Sequence, residues 1–173
     1  MKLVGLQLIT PRLFHDERGY FFESCRQSDF GFPLVQDNVS FSRRGTIRGL
    51  HFQSDPGQAK LVSCLQGTIW DVAVDIRPDS PTFMQWEAVE LDGQSHKQLF
   101  IPVGFAHGFC VLSDTAQVYY KVSSPYNPTT ERSIRWNDPE LNILWPVQHP
   151  ILSLKDQTSP FFSEVRHVVD HRG

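Results

Sequence analysis

Apolar residues recur with a period close to two over much of the chain, the spacing of strands that cover one face. The clearest case is IWDVAVDIR, where Trp70, Val72, Val74 and Ile76 face one way and Asp71, Ala73, Asp75 and Arg77 the other. Residues 116–123, AQVYYKVS, repeat the pattern, with Val118, Tyr120 and Val122 on one face and Lys121 turned away to solvent. VQDNVSFS sets Val35, Val39 and Phe41 against Gln36, Asn38 and Ser40. That amide-and-hydroxyl face suits the wall of a polar pocket or a solvated edge strand. Further strands are expected at 3–9, 20–23, 47–53, 60–64, 83–91, 98–103 and 110–112, with Ile47, Gly49, His51 and Gln53 sharing a face. Turns fall at Asp16–Gly19, Gly67, RPDSPT and Asp92-Gly93, and PVGFAHGF reads as a loop. One helical turn fits 26–31. Short helices fit 138–144 and 158–169, the second opened by Thr158 or Ser159 with Pro160 in its first turn. Many short strands between turns predict an all-β protein. The form is a double-sheet jelly roll, a cupin-like β-barrel with short C-terminal helices, whose interior can hold a ligand.

Composition adds limits. Twelve prolines and eleven glycines are scattered rather than clustered, so residues 1–173 read as a single domain. A net charge of −3 without runs of like charge gives no reason to expect nucleic acid. Cys25, Cys64 and Cys110 are odd in number and lack a C-x-x-C spacing. They read as free thiols of a reducing compartment, which makes the protein cytoplasmic. The opening MKLVGLQLIT is too short for a signal peptide's apolar core before Pro11, and nothing predicts a membrane span.

The chemistry gathers in RGLHFQSDPGQAK, which carries His51 and Lys60 on either side of a loop. Pro102, Gly104 and His107 supply half of a cupin metal motif. The other half has Gln53 where a second histidine belongs and Lys60 where a carboxylate would stand. A lysine cation opposes a divalent ion, and two histidines are a thin ligand set. The residues therefore read as a site without metal, with a metal-dependent cupin enzyme as the alternative. His51 becomes a candidate base, its ordinary pKa suiting proton transfer near neutrality, or else a buried structural histidine. Tyr120 is a candidate acid or a core residue. Asp71 and Asp75 line the cavity if their strand's apolar face packs outward, and are exposed otherwise.

The segments FHDERGYFFES, VQDNVSFS, GTIRGLHFQ, KLVSCLQGTIWDVAVDIRPDSPTF, IPVGFAHGF, YYK, WNDP and LSLKD follow one another from about residue 12 to 160. Together they resemble the dTDP-4-dehydrorhamnose 3,5-epimerase family. The resemblance implies that His51 is the catalytic base and that Asp156, in the S-x-K-D run, orients its ring. Tyr120 would return a proton on the opposite face, and Lys60 would stabilise the enolate oxygen. Arg48 and His107 match further pocket residues. Arg18, Glu23, Gln36 and Asn38 match nucleotide and sugar contacts, some reaching across a dimer. Tyr126 matches an aromatic that stacks on thymine, and Glu131 and Lys155 two more binding positions. The implied substrate is a dTDP-4-keto-6-deoxy sugar nucleotide, inverted at C3 and C5 without a cofactor by a homodimer. The product from dTDP-4-dehydro-6-deoxy-D-glucose would be dTDP-4-dehydro-L-rhamnose, with inversion at one carbon as the alternative. The chain departs from the family pattern at Pro125, at Arg132 and in a shorter 54–59 loop, positions that bear on nucleotide fit and choice of sugar.

Overall fold

The computed structural model describes residues 1–170. Two five-stranded antiparallel sheets face each other. The first runs, in spatial order, β1 (Gln7–Ile9), β9 (Gln98–Ile101), β6 (Lys60–Gln66), β11 (Thr115–Val122) and β4 (Gln36–Arg43). The second runs β12 (Glu131–Ser133), β5 (Ile47–Gln53), β10 (Phe105–Val111), β7 (Thr68–Asp75) and β8 (Trp86–Asp92). A separate hairpin pairs β2 (Phe14–Asp16) with β3 (Gly19–Phe21), and a 3-10 turn covers Gln27–Asp29. Two helices, α1 (Leu154–Thr158) and α2 (Phe162–Asp170), end the described chain. The double-sheet jelly roll with short C-terminal helices is therefore the observed architecture. Among the described residues no helix is long and apolar enough to cross a membrane.

The second sheet is buried on both faces, and this decides which way its polar residues point. Inside, Ile69, Ala73, Phe105 and Phe109 meet Val62, Leu99, Ile101 and Val118 of the first sheet. Outside, Val72, Val74 and Ile76 are covered by Ile134, Leu141 and Ile143 and by Phe162, Val165 and Val169. The last three form the apolar stripe of α2. The apolar face of β7 thus packs outward, and Asp71 and Asp75 turn into the barrel with no exposed surface. A buried carboxylate needs partners. Asp75 finds Arg77, Ser80 and Thr82 at one end, and Asp71 finds His107.

Strand β4 inverts the usual arrangement. Its polar residues Gln36, Asn38 and Ser40 turn inward, while Val39 and Phe41 are 64% and 57% exposed at the sheet edge. The pocket-wall reading of VQDNVSFS holds.

Strict alternation fails in β5. His107 pairs with His51, but Phe109 pairs with Arg48, so β5 carries one extra residue against β10. Arg48 and His51 consequently line one cavity, although alternation places them on opposite faces. The bulge needs two glycines. A Cβ on Gly49, which sits at φ 131°, would lie 2.5 Å from the Cα of Gly108.

Three local expectations are corrected. PVGFAHGF is a loop only to Gly104; from Phe105 it is the central strand β10, bonded to β5 and β7 and buried throughout. Residues 138–144 form turns rather than a helix. There Asp138 accepts from the N–H groups of Glu140 and Leu141 as a helix cap does, and the Asn142 N–H reaches the Asp138 carbonyl, but Asn142 itself sits at φ 45° and ends the coil after that one turn. The helix expected over 158–169 begins only at Phe162. Leu154–Thr158 is a helix of its own, and Pro160 lies in the break between the two.

Candidate active site

A cavity of about 290 Å³ lies between the sheets. The second sheet contributes Arg48 and His51 from β5 and His107 from β10; the first contributes Lys60 from β6 and Tyr120 from β11. Asp156 enters from α1. Its delivery depends on a strap of chain at 151–153. Ile151 exchanges backbone hydrogen bonds with Gly45 and Ile47 next to β5, so α1 starts beside His51.

Asp156 Oδ1 lies 2.7 Å from His51 Nε2, and Asp156 Oδ2 lies 2.8 Å from the Ser153 hydroxyl. Burial alone would raise the Asp156 pKa, but bonds from His51 and Ser153 outweigh it and hold the carboxyl below its ordinary value. An ionised carboxylate only accepts, so His51 Nε2 donates to it, which leaves Nδ1 as the ring atom not engaged by Asp156. His107 is tied to Asp71 in the same manner, with Nε2 within 3.0–3.1 Å of both carboxylate oxygens. Burial pushes the His107 pKa down against the pull of Asp71, so its ring is neutral.

Lys60 is buried with its ammonium 3.4 Å from the backbone carbonyl of His51. Burial lowers its pKa to about 8, with the Asp71 and Glu131 charges opposing. Burial raises the Tyr120 pKa, so the phenol keeps its proton at neutral pH. Arg48 is anchored to the Ser42 hydroxyl at 2.9 Å and to the Phe41 carbonyl.

A second cavity of about 260 Å³ shares His51, Lys60 and Tyr120 and adds Gln36, Asn38, Tyr126 and Glu131 at the mouth. Gln36 bonds both Asn38 and the Tyr126 amide. Glu131 accepts from the Tyr126 hydroxyl and from Lys155. All of the expected site residues except two thus converge. Arg18 stays in the β2–β3 hairpin against Asp16 with its side chain 87% exposed, and Glu23 pairs with Arg26. Neither lines the barrel cavity of a single chain.

Gln53, the residue in the place of a metal-binding histidine, bonds Ser124 and the Asn127 amide and so fixes the loop that leads to Tyr126. No group of three or more His, Cys, Asp or Glu side chains among the described residues could hold a metal ion. Lys121 is not free in solvent; it pairs with Asp37. Sequence reasoning left Asp71 outside the site set and missed Ser153 altogether. The signal for Ser153 was available: a serine three residues before an acid is the start of a capping box.

A jelly roll with carboxylate-backed histidines on one wall and a lysine and a tyrosine on the other defines a barrel enzyme equipped to move protons at carbon. The comparisons narrow the class. The sequence model described as dTDP-4-dehydrorhamnose 3,5-epimerase matches residues 1–164, and the chain belongs to that family of epimerases. It is 47% identical over 169 residues to the dTDP-4-dehydrorhamnose 3,5-epimerase of Shigella flexneri, covering 94% of this chain and 93% of the relative. A solved dTDP-6-deoxy-D-glucose-3,5-epimerase from Legionella pneumophila, in complex with dTDP-4-keto-L-rhamnose, superposes with a TM-score of 0.91 at 45% identity. The match covers 94% of this chain and 90% of that one. A dTDP-4-dehydrorhamnose 3-epimerase of Streptomyces niveus is 42% identical over 169 residues, 94% of this chain and 82% of the relative.

Proposed function

We propose that the protein inverts C3 and C5 of dTDP-4-dehydro-6-deoxy-D-glucose to give dTDP-4-dehydro-L-rhamnose. The observation that carries the mechanism is that His51 and Tyr120 stand on different sheets, facing one cavity from opposite walls. A hydrogen on a carbon beside a ketone is acidic. His51 Nδ1 removes it, with Asp156 holding the ring and stabilising the imidazolium. The enolate oxygen that forms is met by the ammonium of the buried Lys60. Tyr120 then gives its proton to the opposite face of the carbon; the tyrosinate recovers one from solvent, and the His51 imidazolium returns one to it. The route uses no cofactor. Tyr126, fixed at the mouth by Glu131 and Gln36, supplies the flat surface for thymine. Three free cysteines support a cytoplasmic setting.

The test is incubation with dTDP-4-keto-6-deoxyglucose in D₂O, followed by NMR at both carbons. Deuterium is expected at C3 and C5 with inversion at each; inversion at one carbon alone would place the chain with enzymes such as the Streptomyces niveus relative. Tyr120→Phe is expected to slow inversion about a hundredfold while slowing exchange far less, because base and oxyanion support remain. Equal losses in both would remove Tyr120 from the acid role.

The working form we propose is a homodimer. Val39, Phe41, Tyr20 and Phe21 present apolar surface at the edge of the first sheet and on the hairpin. Arg18 and Glu23, without a place in the barrel cavity of their own chain, would contact the nucleotide in the partner's site. Mixing inactive Arg18→Ala and His51→Ala subunits then restores about a quarter of wild-type activity, since half of the dimers are mixed and each holds one complete site. No recovery in dimers shown to have exchanged would mean that Arg18 acts within its own chain.

A further inference from the structure

We propose that Ser153 is a positioning residue of this active site, its hydroxyl fixing the plane of the Asp156 carboxylate behind His51. The proposal rests on the reading of His51 as the base.

Ser153-Leu154-Lys155-Asp156 has the spacing of a capping box. In that motif the serine oxygen accepts the amide three residues on, and the acid reaches back to the serine's own amide. Here only the first half is made: the Asp156 N–H donates to Ser153 Oγ at 3.1 Å. The acid is diverted. Its Oδ1 goes to His51 at 2.7 Å and its Oδ2 takes the Ser153 hydroxyl at 2.8 Å. The direction of that last bond is settled by chemistry. The carboxylate has no proton to give, and Ser153 Oγ already accepts one, so the hydroxyl donates.

Each oxygen of Asp156 therefore has its own anchor, and together they define the carboxylate plane. Among the described residues no other side chain is bonded to Oδ2. The terminal torsion of an aspartate is soft. Without the hydroxyl, Oδ2 swings about the bond to His51 or takes up water. Water has a way in, because Ser153 also borders a neighbouring cavity of about 450 Å³ that includes Arg48, Ile151 and Asp156. The ring that Asp156 orients would lose its fixed direction toward the substrate.

The test compares Ser153→Ala, Ser153→Thr and Ser153→Asp in the full-length chain, alone and with Asp156→Asn. Ser153→Ala is expected to lower kcat and the rate of solvent deuterium exchange about tenfold, with KM changed less than about twofold. Ser153→Thr, which keeps the hydroxyl, restores most of the loss. Ser153→Asp keeps an acceptor for the Asp156 amide but cannot donate, so it loses at least as much as Ser153→Ala. On the Asp156→Asn background Ser153→Ala costs less than about twofold, since the carboxylate it positions is gone. Full activity in Ser153→Asp would make Ser153 a helix cap and nothing more. So would an undiminished Ser153→Ala loss on the Asp156→Asn background. Failure of the underlying reading shows separately, as normal exchange in His51→Ala.

Discussion

Replacement of His51 by alanine is expected to remove both epimerisation and solvent exchange, each by about a thousandfold or more. The reason is geometric. Base catalysis needs a lone pair aimed into the cavity and a partner that stabilises the charge it acquires. His51 has both, through Nδ1 and the ionised Asp156 on Nε2. Solvent exchange is the sharper readout, because proton removal precedes every later step. The experiment also judges a rival within the same wall. His107 lies directly across the β5–β10 ladder from His51, is neutral, and is backed by Asp71 in the same manner. If His107 served one of the two carbons, His51→Ala would lose deuterium uptake at one position and retain it at the other. Loss at both assigns all proton removal to His51.

Lys60→Met is expected to lower kcat by about a hundredfold to a thousandfold, the scale on which removal of one preorganised oxyanion donor acts. Methionine keeps most of the side chain's bulk and removes its charge. The variant should also change the pH profile. Burial lowers the Lys60 pKa to about 8, so in the free enzyme the cation is lost as pH rises through that value. Wild-type kcat/KM should fall on the alkaline side near pH 8, and the Lys60→Met profile should lack that limb. Tyr120 is not a competing source of it, since burial raises that pKa above its ordinary value. Stability runs the other way. Between about pH 8 and the ordinary lysine value of 10.5 the unfolded chain holds a proton here that the folded chain has released. The contribution of Lys60 to stability therefore rises with pH while activity falls. A wild-type profile flat through pH 8 to 9, or a Lys60→Met variant with the same alkaline limb, would separate Lys60 from the enolate.

Much of the jelly roll was legible because alternation is a local signal. IWDVAVDIR and AQVYYKVS announce strands whatever surrounds them. The three local errors share one cause, which is that nonlocal partners decide them. PVGFAHGF has a proline and two glycines, yet two neighbouring strands bond its second half, and Gly108 is what lets β5 approach. Asp138 caps a single turn that Asn142 ends at φ 45°, and its other oxygen takes the Phe162 amide of α2, a partner no local pattern reveals. Helix α2 starts late because the chain first makes the short turn that carries Asp156.

The sequence by itself determined the chemistry in kind. His51, Lys60 and Tyr120 suit proton transfer beside a carbonyl, Gln53 and Lys60 spoil a metal site, and the ordered segments from FHDERGYFFES to LSLKD specify the family. What only the tertiary structure decided is which side of each strand meets which neighbour. The apolar face of β7 could have gone inward, and the C-terminal layer that covers it turned Asp71 into the barrel instead. The extra residue in β5 brought Arg48 onto the face of His51. The strap at Ile151 carried Asp156 and Ser153 across more than a hundred residues of sequence to reach that histidine. Alternation states that a side chain has one of two faces. Burial on both sides of a sheet, a bulge and a capped helix end choose between them, and each choice depends on contacts far away along the chain.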